Sequence, residues 1–234
     1  MEDKKNTSQV RRWRDFFEVV IVTFSVAIFL RIFFVGFYRV STSSMAPSLR
    51  IGDFVWVSKA SYGIRLPFSP KRIFEKIPEK GDLVLFRYPD QPNTVHIKRV
   101  IGLPGDNILI RGQQILVNDR LFSQEVLGAE GFANLPGAEF MRFYNESNGS
   151  KLYSVMFTQM PSQLKDVGPL VVPPGEIFVV GDNRDASDDS RYWGSVPLSH
   201  IEAKMKGIWF SLNWSQFGRD RKPEIRWDRI GLDF

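Results

Sequence analysis

The chain has 234 residues, no cysteine, a net charge of +5 and 43% hydrophobic residues. The hydrophobic content is enough to bury a core, which excludes bulk disorder, and the missing cysteines exclude disulfides, thiolate catalysis and cysteine-based zinc sites. The net positive charge suits an anionic partner. Lipid is a better candidate than nucleic acid, because no nucleic-acid-binding motif or basic helix is visible in the sequence.

The first predicted element is a membrane-spanning helix over residues 16–38. This apolar segment is interrupted by few polar side chains, and its length suffices to cross a hydrocarbon core of about 30 Å with some tilt. A basic arm over residues 1–15 precedes it, with Lys4, Lys5, Arg11, Arg12 and Arg14. The positive-inside rule therefore predicts a cytoplasmic N-terminus and an extracytoplasmic chain after Tyr38. Bulky residues follow the apolar core, which favours an uncleaved anchor over a removed signal peptide.

Beyond the anchor the sequence predicts a mainly β protein. A main β domain is expected over residues 39–110 and 172–234, interrupted by an inserted β subdomain over residues 111–171 in which no chemistry is visible. Short β-rich runs bounded by turn residues predict strands at 54–58, 83–88, 94–101, 107–110, 114–117, 151–157, 176–180 and 205–212. Residues 62–78 are expected to form an irregular loop, because proline and mixed charge dominate there. The basic tail over residues 219–229 is expected near the lipid surface.

The stretch from Ser41 to Ser44 is unusual because four hydroxyl residues follow the anchor closely and lead into Met45 and a Gly52-Asp53 turn. We interpret Ser44 as a nucleophile held at the membrane face. A serine hydroxyl needs a positioned base. The chain has only two histidines, His96 and His200, so a Ser-His scheme is limited to those two.

Lys98 is an alternative base. Strand alternation over residues 94–101 places His96 and Lys98 on one face and Ile97 and Arg99 on the other. Burial of a lysine disfavours its charged form and lowers its pKa, which makes the neutral amine available as a base. A hydroxyl from the loop at 181–191, most plausibly Ser187, could then orient the amine.

Oxyanion stabilisation has a candidate in Thr42, whose hydroxyl could act together with the backbone N–H of Ser44. The acidic loop at 181–191 does not fit an EF-hand, because Ser or Ala stands where Gly and acidic ligands are needed. A zinc-binding His-Glu-x-x-His motif is also missing from the sequence. We therefore expect neither a metal nor a cofactor.

Three blocks, in order, resemble type I signal peptidases (leader peptidases), which are membrane-anchored Ser/Lys endopeptidases. The first has the form Ser-Met-x-Pro-[Ser/Thr]-Leu…Gly-Asp at residues 44–53. The second is Lys-Arg-x-x-Gly-Leu-Pro-Gly-Asp at residues 98–106. The third is Gly-Asp-Asn-Arg-Asp-x-Ser-x-Asp-Ser-Arg at residues 181–191. The position of the anchor also matches, and the resemblance covers all but the N-terminal arm and the insertion.

The resemblance implies a role for each matching position. Ser44 would be the nucleophile and Lys98 the general base, with Thr42 in the oxyanion hole and Ser187 orienting Lys98. Thr42 departs from the serine often found there but keeps the hydroxyl. Structural support of the site is implied for Arg99, Asp182, Asp189 and Arg191. The substrate pocket would be lined by Met45, His96 and Ile97, where His96 departs from the aromatic residue often present.

The function implied is removal of signal peptides from exported preproteins by cleavage after an Ala-x-Ala-like site, through an acyl-enzyme. The implied partners are signal peptides, membrane lipids and the translocation machinery, and the implied location is the cytoplasmic membrane of a bacterium with the signal-peptidase-like catalytic domain outside. Two alternatives stay open: another Ser/Lys peptidase on a related β fold, such as a self-cleaving repressor or a pilin-processing relative, and an inactive membrane-tethered β module.

Overall fold

The computed structural model describes residues 2–65, 72–89, 91–160, 166–213 and 223–234. Part of the predicted loop at 62–78 and part of the predicted tail at 219–229 lie outside these residues, so those two predictions are tested only at their described ends. The elements are mostly strands, joined by short turns and preceded by one long helix. The prediction of a mainly β protein behind one N-terminal apolar helix is confirmed.

The N-terminal helix α1 covers Glu2–Phe33, so the basic arm is helical as well. Its portion Trp13–Phe33 is long and apolar enough to cross a membrane, and none of it is buried against the rest of the protein. The predicted span is wrong at its C-terminal end, because Val35–Arg39 forms strand β1. Bulky aromatic and β-branched residues suit a strand as well as a membrane helix, and pairing with strand β2, Asp53–Ser58, decides between them.

The main sheet is antiparallel and has the strand order β1-β2-β16-β5-β6-β14-β15, with β17 added to β16. After β1 its strands are β2 Asp53–Ser58, β5 Leu83–Tyr88, β6 Gln91–Gly102, β14 Glu176–Val180, β15 Val196–Pro197, β16 Ile201–Asn213 and β17 Glu224–Ile225. The predicted strands of this sheet are confirmed, and β6 and β16 are longer than expected. A short helix α2, Ser190–Trp193, lies between β14 and β15.

Both faces of the main sheet pack apolar side chains, because successive residues of its strands point to opposite sides. In β5, Leu85 packs in one core cluster with Val55 and Val57, while Val84 packs in another with Val179. In β6, Ile97 joins the first cluster and Val100 the second. The alternation expected for β6 is therefore confirmed, and it turns neighbouring side chains of this strand to opposite faces.

The predicted hairpin forms between β7 and β8, but it belongs to a larger unit than expected. A four-stranded sheet has the order β13-β7-β8-β9, and its strands are β7 Asn107–Arg111, β8 Gln114–Val117, β9 Arg120–Leu121 and β13 Val167–Val171. The predicted domain boundary at residue 111 therefore cuts through a hairpin. Strand β13 pairs with β7 although the two are far apart in the sequence, so both belong to the same sheet. No local pattern in the sequence indicates this pairing.

A separate three-stranded sheet lies within the predicted insertion. Its strands are β10 Ser123–Leu127, β11 Met141–Ser147 and β12 Leu152–Thr158, in that spatial order. The loop predicted at 62–78 is only partly irregular, because β3 Ile64–Arg65 pairs with β4 Arg72–Ile73 at its described ends. The β-branched residues of this stretch support pairing that proline content alone did not suggest.

Candidate active site

A cleft of about 380 Å³ opens on one side of the main sheet. Its walls are the segment after β1, residues 39–45, and the middle of β6, residues 94–98, with Ala186 and Asp188 at its edge. The cleft brings together Thr42, Ser44, Met45, His96, Ile97 and Lys98, all of which were predicted site residues. Two stretches about fifty positions apart in the sequence thus form one site.

Ser44 is held by backbone contacts on both sides of its segment. Val40 donates its N–H to the carbonyl of Asp53 at 2.8 Å, where the segment leaves the sheet. The carbonyl of Ser44 accepts the backbone N–H of Asn183 at 3.1 Å. The Asn183 side-chain amide donates to the carbonyl of Ser43 at 3.2 Å. The loop at 181–191 therefore fixes the backbone beneath the predicted nucleophile.

The hydroxyl of Ser44 lies 3.3 Å from that of Thr42. Within the described part of the chain this is its only side-chain hydrogen-bond partner, so the hydroxyl is not bonded to Lys98 in this state. Hydrogen bonds of a catalytic group are often long before substrate is bound. The hydroxyl of Thr42 therefore lies beside that of Ser44, the predicted nucleophile.

Lys98 is buried, with 2% of its surface exposed. Its amine donates to the hydroxyl of Ser187 at 2.9 Å. Burial lowers the pKa of Lys98 to about 8, although Asp189 and Asp188 act in the opposite direction. A lysine in this position can be neutral at mildly alkaline pH, which a general base requires.

The predicted supporting residues form two buried ion pairs. Arg99 donates to both oxygens of Asp182, at 2.7 and 2.6 Å, and to the carbonyl of Gly81. Arg191 donates to both oxygens of Asp189, at 2.7 and 2.8 Å. Asp189 also accepts the backbone N–H of Gly181 at 2.9 Å. Each guanidinium matches its carboxylate in a two-pronged geometry, which gives directional as well as electrostatic strength.

The pocket residues differ in how much surface they offer. Met45 is almost fully buried, and Ile97 is half-buried and packs against the same core cluster. His96 is half-buried and stacks on Tyr88, with ring centroids 5.0 Å apart. Burial, followed by the charge of Lys98, lowers the pKa of His96. A neutral, stacked imidazole behaves as part of the pocket wall.

Sequence reasoning missed the buried contacts made by the three-stranded sheet. Arg184 donates to both oxygens of Glu146, at 2.8 and 2.5 Å, and Tyr153 donates to the same carboxylate at 3.0 Å. The guanidinium of Arg99 lies 3.9 Å from the centre of the Tyr153 ring. Since Glu146 is separated from Arg184 by 38 positions, no local pattern could have indicated the pair. The predicted insertion therefore contacts the loop at 181–191 through a buried ion pair.

Gly181 was also missed as a close-contact position. A Cβ at this residue would lie within 3.0 Å of both the Ser187 hydroxyl and the Ser44 carbonyl oxygen. These two groups therefore meet across the glycine. The structural demand at this position is the absence of a side chain.

An apolar N-terminal helix precedes a β domain whose cleft holds a serine and a buried lysine, an arrangement expected of a membrane-associated serine peptidase. Residues 13–210 match the family model described as signal peptidase, peptidase S26. The chain therefore belongs to the signal peptidase family, whose members remove signal peptides.

Relatives and a solved structure are similar over long stretches. Signal peptidase I of Pseudomonas fluorescens is 36% identical over 231 residues, covering 94% of this chain and 77% of that protein. Signal peptidase I of Pseudomonas aeruginosa strain PAO1 is 34% identical, with the same coverage. The crystal structure of a signal peptidase I from Enterococcus faecalis V583 is 29% identical, covers 55% of this chain and 97% of that chain, and has a TM-score of 0.35.

Proposed function

We propose that this protein is a membrane-bound endopeptidase that cleaves preproteins after small residues, with Ser44 as nucleophile and Lys98 as general base. The observation that carries the proposal is the buried amine of Lys98, which is bonded to Ser187 at 2.9 Å and lines the same cleft as Ser44. A lysine needs a partner that holds it in place without a full opposite charge in direct contact, and a hydroxyl meets that need.

In the proposed mechanism Ser44 attacks the scissile carbonyl while the neutral amine of Lys98 takes the hydroxyl proton. Ser187 orients the amine through the hydrogen bond between them. The backbone N–H of Ser44 and the hydroxyl of Thr42 stabilise the oxyanion. Lys98 returns the proton to the leaving amine, and water then hydrolyses the acyl-enzyme by the same route.

The substrate would lie extended between residues 37–44 and residues 95–98, adding a strand to the cleft. Main-chain hydrogen bonds would supply affinity, and shallow pockets would admit only small side chains. Met45, His96 and Ile97 would shape these pockets, because all three line the cleft. Cleavage after an Ala-x-Ala-like site is what the resemblance to type I signal peptidases implies for such pockets.

The apolar helix would supply proximity, because the signal peptide of a preprotein occupies the same bilayer. The bacterial relatives and the helix identify a bacterial membrane protein. We further propose that the N-terminus is cytoplasmic, that the catalytic domain lies outside, and that lipids and the translocation machinery are its neighbours.

The test is cleavage of a model preprotein by the full chain in detergent between pH 6 and 10. We expect Ser44→Ala and Lys98→Ala to lose on the order of 10³-fold or more in kcat/KM, as is typical when a nucleophile or its base is removed. His200→Ala, a histidine outside the cleft, serves as the control. Wild-type activity should rise with pH through about 8, because Lys98 becomes neutral there.

Substitution of His96 separates the two possible bases. His96→Ala should keep most of the activity and change mainly KM, because the ring forms part of the pocket wall. An active Lys98→Ala together with an inactive His96→Ala would refute the Ser/Lys assignment. A wild-type protein that cleaves no preprotein would instead favour the binding-module alternative.

A further inference from the structure

Arg50 is a buried cation that forms no ion pair with any carboxylate of the residues that the structure describes. The residue lies in the segment that follows Ser44 and leads into β2, and only 7% of its surface is exposed. Its Nε atom is buried without a hydrogen-bond partner. Within the ranges that the structure describes, its guanidinium forms no ion pair. Buried charges in proteins are normally paired, so this one indicates a missing partner.

The neighbouring arginines show what a matched site looks like. Arg229 donates to Asp53 at 2.6 Å, and Arg226 lies 3.2 Å from the other oxygen of the same carboxylate. Asp53 also accepts the hydroxyl of Ser211 and the backbone N–H of Arg50. The carboxylate is thus fully used by other donors. Burial, followed by the charges of Arg229 and Arg226, lowers the pKa of Arg50 to about 10, although Asp228 and Asp53 act in the opposite direction.

A cavity of about 420 Å³ lies against Arg50. It is bounded by the loop at 133–139 and by residues 224–228, and it is separate from the cleft of Ser44. Asn134 brings an exposed side-chain amide to this cavity. A guanidinium and an amide are hydrogen-bond donors with which a small oxyanion can pair.

The charge at the edge of the cavity restricts the ligand. Three exposed carboxylates line it, those of Glu139, Glu224 and Asp228. They repel any anion, but an anion with two charges about twice as strongly as a single carboxylate, which could still pair with Arg50 in the two-pronged geometry. A ligand with one carboxylate therefore suits the site better than phosphate.

We propose that Arg50 anchors a second binding site in this protein, which takes a singly charged carboxylate ligand in the cavity beside β17. The site stands on the packing around Arg50 and does not depend on the proposed peptidase mechanism. The ligand would supply the missing acceptors of the guanidinium.

Acetate is a suitable probe of this site. In the full chain, labelled with ¹⁵N-arginine in detergent, the Nε–Hε signal absent from Arg50→Met identifies Arg50. Replacing chloride by acetate at constant ionic strength should shift that signal saturably, while the signals of Arg226 and Arg229 move less. Phosphate at pH 7.5 should bind at least about ten-fold more weakly, because the edge carboxylates repel the second charge.

Thermal unfolding gives the second readout. Saturating acetate should raise the midpoint of wild type by at least about 2 °C, since a ligand that binds only the folded state stabilises it. Arg50→Met should lose this response, and Arg120→Met, which removes an exposed arginine of β9, should keep it. A response equal in Arg50→Met and wild type, or an Arg50 signal unmoved by acetate, would overturn the site. A response to phosphate as strong as that to acetate would overturn the ligand class.

Discussion

The charge of Lys98 affects the stability of the protein as well as its proposed catalysis. Burial lowers its pKa from an ordinary 10.5 to about 8. Between these two values the unfolded chain holds a proton that the folded chain has released. The free energy of unfolding therefore rises with pH through this window, and the buried amine lowers stability below pH 8. The sign is opposite to that of a lysine which gains an ion pair on folding.

Replacing Lys98 by Met should therefore stabilise the protein at pH 7. The expected gain is roughly 1–3 kcal/mol, given about 1.4 kcal/mol for each pKa unit and some loss of the bond to Ser187. The gain should shrink as pH rises from 8 to 10.5. Urea unfolding of both proteins in detergent at pH 7 and pH 10 measures it. A difference independent of pH would contradict the lowered pKa.

Gly181 tests how closely the two sides of the site meet. Gly181→Ala should lower kcat at least about ten-fold, because its methyl group would displace the Ser187 hydroxyl and the Ser44 backbone, and small displacements at an active site are costly. Gly131→Ala is the matched control, because open space surrounds a Cβ at that position. Both variants are compared by preprotein cleavage and by thermal unfolding. Full activity in Gly181→Ala would show that the loop tolerates the displacement.

At the scale of elements, the three-stranded sheet supports the loop at 181–191. Met156 donates its backbone N–H to the Asp182 carbonyl at 2.9 Å, and the Met156 carbonyl accepts the N–H of Arg184 at 3.0 Å. Thr158 donates its N–H to the Asp185 carboxylate at 2.6 Å. Strand β12 thus pairs with the loop that holds Ser187. Although the subdomain lies outside the cleft, its stability and the geometry of the site are coupled.

The Glu146–Arg184 pair should be a major contributor to this coupling. Glu146→Ala leaves a buried guanidinium without its partner, so we expect a loss of about 3–5 kcal/mol in the free energy of unfolding. Glu125→Ala, which removes an exposed carboxylate from β10, should change stability by less than about 0.5 kcal/mol. Chemical unfolding in detergent compares the two. Equal effects would mean that the buried pair contributes little.

At the scale of the whole molecule, the membrane helix joins the main sheet almost directly. Helix α1 ends at Phe33 and strand β1 begins at Val35. The amine of Lys59 donates to the carbonyls of Arg31 and Ile32 at 3.0 and 3.3 Å, where the helix exposes its last acceptors. The same sheet edge leads from β1 into the segment that carries Ser44. The site therefore stands at a short distance along the chain from the membrane.

The proposed topology can be tested with single cysteines, because the natural chain has none. An impermeant maleimide applied to spheroplasts should label Ser150→Cys, an exposed position of the outer domain. Thr7→Cys, in the basic arm, should react only after the membrane is permeabilised. The opposite labelling pattern would place the catalytic domain in the cytoplasm and refute the proposal.

The sequence alone determined the features that depend on residues close to one another along the chain. The apolar run predicted the anchor, period-two alternation predicted the face of Lys98, and three ordered blocks indicated the family and its candidate residues. These signals are readable because strand alternation, turn chemistry and membrane insertion depend on neighbouring residues.

Only the tertiary structure decided the contacts between distant segments. It ended the helix at Phe33 because β1 pairs with β2, and it moved the boundary expected at residue 111 because β13 pairs with β7. It also brought Glu146 to Arg184 and left Arg50 without a carboxylate partner among the described residues. Strand register and the packing of one sheet on another set these contacts, and neither is encoded in any short stretch of sequence.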